Sequence, residues 1–233
     1  MGNFYAQQCC LFKFKCGKFW GWGYEDGELY ITTGGSITTS EGMSIGENNS
    51  YGAVSVDGED SELNIGDNLY MENADLNITN GGTLTTNTAN IGGEDGYSYA
   101  SVFGTGSTWN NNEEIEVGSS GRGELDILDD GYVSTDMIVL ASEAGGSGEL
   151  CIEDGGTLES SIGLIGFYDD TYGVAYVSGA GSTWTTGSLY LGGYTGTIDG
   201  TDIDYRASGN LTIANGGMVT TKELYLYVEE CNL

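Results

Sequence analysis

Apolar residues alternate with polar ones in short segments that recur along the chain from residue 27 onward. The segments mark eight similar units, which begin at Gly27, Gly52, Ala74, Ser98, Gly123, Gly148, Gly173 and Gly209. The spacing is close to 25 residues, except that the seventh unit holds about eleven additional residues at 196–206. A fixed period of this length is the signature of a repeat architecture.

Each unit predicts three short strands. The first and third segments are apolar-x-apolar triplets, such as Leu125-Asp126-Ile127 and Ile115-Glu116-Val117. The second segment centres on one apolar residue, which in successive units is Ile37, Leu63, Leu84, Trp109, Val133, Leu158, Trp184 and Val219. Period-two alternation predicts strands, and Gly-Gly, Asp-Gly and Asn-Gly pairs predict tight turns between them.

Three short strands cannot bury an apolar face alone, so the units are expected to stack and share one core. We therefore predict an all-β fold, a single parallel β-helix of about eight coils with three strands each. A propeller is excluded because its blades need roughly 40–50 residues. A sandwich would not keep a constant 25-residue register.

The motif Gly-Ser-Thr-Trp occurs twice, ending at Trp109 and at Trp184. The indole can be a core residue or a platform on which a carbohydrate stacks. Because the other units place an aliphatic residue at the same position, we expect both tryptophans to point inward.

The segments "FGTGSTWNNNEEIEVGSSGRGELDILDDGYVST" (103–135), "VSGAGSTWTTGSLYLGG" (177–193) and "GNLTIANGGMVTT" (209–221) resemble the autotransporter and PEP-CTERM associated repeat of bacterial surface and secreted proteins. The resemblance implies a right-handed parallel β-helix exposed outside a bacterial cell, with no catalytic residues. The chain shows neither the membrane-anchoring barrel nor the sorting signal of that family, so we expect a free-standing solenoid.

Charge divides the chain in two. Residues 1–24 contain Lys13, Lys15, Lys18 and no acid, whereas residues 25–233 contain all 35 acidic residues and the other three basic ones; the net charge of the whole chain is −29. We interpret 1–24 as a basic, aromatic, cysteine-rich capping and interaction segment, and 25–233 as the parallel β-helix with its insertion at 196–206. The acidic surface argues against nucleic acid as a partner, and no run of about 20 apolar residues predicts a membrane span.

Catalysis has little support in the sequence, and we expect no enzyme. There is no histidine, which is the commonest general base and metal ligand. Paired carboxylates are uninformative in so acidic a chain. No cofactor is predicted, except that Ca²⁺ could bind the acidic cluster Asp199, Asp202 and Asp204 of the insertion, whose spacing does not match an EF-hand loop.

The outward centres of the third strands form a column that ends in the apolar residues Val139, Leu164, Tyr190 and Tyr225, which predicts a contact surface. The N-terminal aromatic residues are expected to cover the first coil and to take part in a subunit interface: Phe12, Phe14, Phe19, Trp20 and Trp22. The candidates for disulfide bonds at the two ends of the chain are Cys9, Cys10, Cys16 and Cys231.

These features favour an extracellular structural protein that associates head to tail into a surface filament or layer. The N-terminal segment would dock on the acidic C-terminal edge of the next copy, and Cys231 would pair with a thiol of that segment. A local bridge between Cys9 or Cys10 and Cys16 is the alternative pairing. The alternative function is an adhesin that binds a glycan or a cell surface, and a polysaccharide-degrading enzyme is less favoured.

Overall fold

The fold is a parallel β-solenoid of about six turns with coils of about 25 residues, as described by a computed structural model. The structure describes residues 2–6, 12–13, 26–47, 50–93, 96–193, 195–198 and 201–227. No helix in these ranges is long and apolar enough to cross a membrane. The prediction of an all-β repeat fold with this period is confirmed.

The first strands of the coils form a nine-stranded parallel sheet. Its members, in order along the sheet, are β1 (Gly2–Ala6), β3 (Gly27–Thr32), β6 (Gly52–Asp57), β9 (Ala74–Thr79), β12 (Tyr97–Phe103), β15 (Arg122–Leu128), β18 (Ser147–Glu153), β21 (Tyr172–Ser178) and β25 (Ser208–Ala214). The eight residues chosen above as unit starts, Gly27 to Gly209, lie in register across this sheet.

The second strands stack in the same way. They are β2 (Phe12–Lys13), β4 (Ser36–Thr39), β7 (Glu62–Ile65), β10 (Thr83–Thr86), β13 (Thr108–Asn111), β16 (Tyr132–Ser134) and β19 (Thr157–Glu159). The third strands are β5 (Met43–Ile45), β8 (Asn68–Met71), β11 (Thr88–Ile91), β14 (Glu114–Val117), β17 (Met137–Leu140) and β20 (Ile162–Ile165).

In the last two described coils, one long strand replaces the second and third strands. These strands are β22 (Thr183–Leu191) and β26 (Met218–Leu226), which pair with each other in parallel. The residues around 196–206 form an antiparallel hairpin, β23 (Thr195–Ile198) and β24 (Thr201–Asp204), between β22 and β25.

The core runs along the axis of the solenoid, because alternate residues of each strand point inward. In β15, for example, Leu125 and Ile127 are fully buried while Asp126 between them is partly exposed. The corners between first and second strands need backbone with positive φ, as at Asn80 and Gly81 (φ 52° and 89°). Such angles favour asparagine and glycine, which explains the turn pairs in the sequence.

Candidate functional site

Both tryptophans of the Gly-Ser-Thr-Trp motifs are core residues. Trp109 and Trp184 are 0% exposed, and they lie in register with Leu84 and Leu158 of the preceding coils. Each indole donates its Nε1 hydrogen bond to the preceding coil, Trp109 to Thr86 Oγ1 (2.9 Å) and Trp184 to Ser160 Oγ (3.1 Å). The expectation of an inward indole is confirmed, and a sugar-stacking role is excluded for these rings.

Small residues make room for each indole. The first strand of the same coil has alanine where neighbouring coils have leucine, at Ala100 and at Ala175. The third strand of the preceding coil has Ala89 or Gly163 at its first inward position. A Cβ at Gly163 would lie 2.6 Å from Cζ2 of Trp184, so that glycine is required by the ring beside it.

The motif serine ties successive coils together. Ser182 is fully buried; its Oγ donates to the carbonyl oxygen of Ser178 (2.7 Å) and accepts from the backbone N–H of Gly155 in the preceding coil (3.1 Å). Ser107 and Ser61 make the equivalent pairs of bonds. The serine and the tryptophan of the Gly-Ser-Thr-Trp motif therefore build the corner and the core of a coil.

The outward column of the third strands has the register predicted from the sequence. Its members are Ser44, Tyr70, Asn90, Glu116, Val139, Leu164, Tyr190 and Tyr225. The last two rings stack on each other, with centroids 4.6 Å apart and planes 8° apart, and Tyr225 is 37% exposed.

Two members of that column are not exposed, contrary to expectation. Val139 is 0% and Leu164 is 7% exposed. The turn after β20 brings the ring of Phe167 to 5.7 Å from that of Tyr190, and burial, followed by the charges of Glu114 and Glu116, raises the pKa of Tyr168 in the same turn. Val139 and Leu164 are therefore buried within the chain and offer no contact surface, whereas Tyr225 at the end of the column is exposed.

The last described coil exposes residues that point inward. Ile213, Leu224 and Leu226 are 49%, 55% and 64% exposed, although each is in register with a core position of the preceding coil. Among the described residues, no strand pairs with the outer edge of β25 or of β26. This apolar end, Ile213, Leu224 and Leu226, is hereafter called the end face. The sequence predicted the C-terminal edge as a docking surface but did not identify these three residues, because alternation shows which residues point inward and not what covers them.

Several predicted residues cannot be placed. Phe14, Phe19, Trp20, Trp22, Cys9, Cys10, Cys16 and Cys231 lie outside the described residues. Phe12 lies in β2, in register with Ile37 of β4. The interface and disulfide assignments of these residues stay predictions.

The fifth cysteine, Cys151, is a free, partly buried thiol on the outer face of β18. Burial and then the carboxylate of Asp126 raise the pKa of this thiol to about 12. Burial likewise raises the pKa of the Asp126 carboxyl group, which accepts a hydrogen bond from the hydroxyl of Tyr99 (2.8 Å). A thiol held in its neutral form is a poor nucleophile and a poor metal ligand.

The predicted calcium cluster stays untested. Asp199 lies outside the described residues, whereas Asp202 and Asp204 lie in β24. Within the part of the chain that the structure describes, no group of three or more carboxylate or thiol side chains is close enough to hold a metal ion.

The base of the inserted hairpin is fixed to the solenoid. The ring of Tyr205 packs against those of Phe167 and Tyr168, with centroids 6.3 Å and 5.9 Å apart. The backbone N–H of Arg206 donates to Asp169 Oδ1 (2.9 Å). The carbonyl oxygen of Arg206 also accepts from the backbone N–H of Asp170 (2.7 Å), so the insertion is anchored at its C-terminal side by aromatic contacts and by two hydrogen bonds of the Arg206 backbone.

The chain is distantly similar to one uncharacterized bacterial protein. It is 31% identical over 155 residues to the uncharacterized lipoprotein YdeK of Escherichia coli K12. The aligned part covers 61% of this chain and 12% of that protein, so the chain spans a small fraction of its relative's length. No family model matches, so the resemblance to the autotransporter and PEP-CTERM associated repeat depends on its motif residues. No solved structure matches the chain.

Proposed function

We propose that this chain is a non-enzymatic structural protein of the bacterial cell envelope or surface. In this proposal the right-handed solenoid of eight coils, capped by residues 1–24, stacks head to tail with further copies. The similarity to a lipoprotein supports the envelope location. The observation that carries the proposal is the end face, where inward-pointing aliphatic side chains are half exposed.

A second copy supplies the cover that the end face needs. Its first coil would add strands to the outer edges of β25 and β26, which are parallel edges of the kind that propagates a solenoid. Covering three half-exposed aliphatic side chains contributes about 1 kcal/mol each. Contact between unlike ends does not close on itself and gives open filaments.

The charges at the two ends of the chain favour contact between the N-terminal segment of one copy and the end face of the next. Lys13, Lys15 and Lys18 lie in the segment that would contact the end face, and Glu229 and Glu230 follow the last described strand in the sequence. Opposite charges at unlike ends also oppose head-to-head contact, because that arrangement would bring like charges together. A disulfide from Cys231 of one copy to Cys9, Cys10 or Cys16 of the next would lock the contact.

Sedimentation velocity over a concentration series tests the proposal. The wild-type chain is expected to form species of increasing mass, whereas Leu224→Lys combined with Leu226→Lys is expected to stay monomeric, because two ammonium groups would have to be buried. Met218→Lys is the matched control, since Met218 is 54% exposed and lies in register with the outward-facing Thr183. Association that survives the double substitution, or that the control abolishes equally, would contradict the proposal.

A further inference from the structure

A groove crosses the outer face of the third strands in the first half of the solenoid. It measures about 340 Å³ and spans β8, β11 and β14. Its polar and aromatic lining consists of Asn68, Tyr70, Thr88, Asn90, Glu114 and Glu116. None of these residues takes part in the proposed end-to-end contact, so the groove is a separate surface.

The side chains of the groove are held in place by one another. Thr88 Oγ1 donates to Asn68 Oδ1 (2.7 Å), and Asn90 Nδ2 donates to Glu116 Oε2 (2.9 Å). The other end of the Asn90 amide, Oδ1, is enclosed and accepts no hydrogen bond. Because that oxygen is enclosed, the acceptors that the groove presents to a ligand are the carboxylate oxygens of Glu114 and Glu116.

The aromatic ring of Tyr70 lies beside the polar floor of the groove. The ring of Tyr70 reaches over Gly93, where a Cβ would lie 2.1 Å from the tyrosine hydroxyl oxygen. The groove therefore offers apolar ring surface beside a floor that consists mainly of hydrogen-bond acceptors.

The electrostatics select the kind of ligand. Burial and then the neighbouring Glu116 raise the pKa of Glu114, so a further negative charge in the groove is unfavourable. Within the described residues neither carboxylate has an ion-pair partner. The chain as a whole carries a charge of −29, which also repels acidic ligands.

We propose that this groove binds a short oligosaccharide that has no acidic groups. Three neighbouring strands span roughly 10 Å, the length of about two linked pyranose rings. An aromatic ring presents a flat apolar face to the C–H face of a sugar, while the carboxylates of Glu114 and Glu116 accept hydrogen bonds from its hydroxyl or amino groups. An amino sugar would in addition form ion pairs with Glu114 and Glu116.

Calorimetric titration of the full chain with four trisaccharides tests this site: a glucose trimer, an N-acetylglucosamine trimer, a glucosamine trimer and a galacturonic acid trimer. At least one of the three non-acidic trimers is expected to bind, and the galacturonic acid trimer is expected not to. Tyr70→Ala should weaken binding about tenfold or more, as loss of a stacked ring does. Tyr176→Ala is the control, because Tyr176 is an exposed tyrosine on the first-strand face.

Glu116→Gln separates charge from shape, since it keeps the size of the side chain. It should weaken binding of the glucosamine trimer more than that of the uncharged trimers. Equal binding of all four trimers, no binding of any trimer, or full affinity in Tyr70→Ala would each overturn the proposal. The monomeric Leu224→Lys/Leu226→Lys variant should bind as well as the wild type, so a failure of end-to-end stacking is distinguishable from a failure of this site.

Discussion

Gly163→Ala is expected to destabilise the solenoid, although the same change at an open strand position stabilises. Gly163 lies in β20, is buried, and its φ is not positive, so alanine meets no backbone penalty there. The added methyl would stand 2.6 Å from Cζ2 of Trp184 and 2.9 Å from Cδ1 of Leu189. Leu189 can change rotamer, but the indole is fixed by its hydrogen bond to Ser160.

The cost follows from this geometry. Overpacking a close-packed core costs about 1–3 kcal/mol, whereas alanine in place of glycine in an unobstructed strand gains about 0.5–1 kcal/mol. Gly27→Ala is the matched control, because a Cβ at Gly27 meets nothing within 4 Å. Urea unfolding followed by circular dichroism measures the free energy of unfolding of both variants. The slope of that free energy against urea concentration should be the same in each variant as in the wild type, which checks that the unfolding behaviour is unaltered.

A second substitution makes the test specific to the indole. Trp184→Leu alone should cost about 2–4 kcal/mol by leaving a cavity. Combined with Gly163→Ala it should cost less than the sum of the two, with a coupling of at least about 1 kcal/mol, because the methyl then fills space that the ring has left. Additive effects, or a Gly163→Ala variant as stable as the wild type, would refute the proposed packing of Trp184 against Gly163.

Two further predictions concern the corner serine and the buried thiol. Ser182→Ala should lower the free energy of unfolding by about 1–3 kcal/mol because it leaves the N–H of Gly155 without an acceptor. The control is Thr212→Ala on the exposed face, which should change the free energy of unfolding by less than about 0.5 kcal/mol in the same urea experiment. In a chain whose other four cysteines are replaced by serine, Cys151 should react with iodoacetamide at pH 8 far more slowly than an unfolded thiol, since its pKa is raised to about 12. Asp126→Asn should speed this reaction, because it removes a carboxylate that raises the pKa of the thiol. Because the raised pKa disfavours the thiolate in the folded state, the stability contributed by Cys151 is complete below its ordinary pKa of 9.0 and is lost as the pH rises toward 12. An alkylation rate equal to that of the unfolded chain would contradict the assigned environment of Cys151.

The repeat register was fully readable from the sequence. Period-two alternation and glycine-containing turns fixed which residues of each unit align, and the strand pairing places Gly27 and Gly209 in the same column as predicted. The inward orientation of Trp184 followed from the same alignment. The room for its ring is also visible in the sequence, as the small residues Ala175 and Gly163 at inward positions of the same and the preceding unit.

The alternation of apolar and polar residues did not predict which side chains are covered by a turn or left exposed at the end of the chain. Val139 and Leu164 alternate as outward residues should, yet they are buried, and the following turn holds Phe167, whose ring lies 5.7 Å from that of Tyr190 in the same column. Periodicity gives the direction in which a side chain points and carries no information about a neighbouring turn. The groove at Tyr70 and Asn90 was missed for a related reason, since it depends on three coils being brought together and on the space between their side chains.

Electron microscopy of the wild-type chain at high concentration under oxidising conditions tests the proposed head-to-tail stacking most directly. The first strands of one chain form a nine-stranded sheet, which corresponds to an axial length of roughly 43 Å. Stacking through the end face predicts unbranched rods of constant width with an axial repeat near this value, and rods that shorten when a reductant is added. Single particles at every concentration, or sheets formed by side-to-side contact, would contradict it.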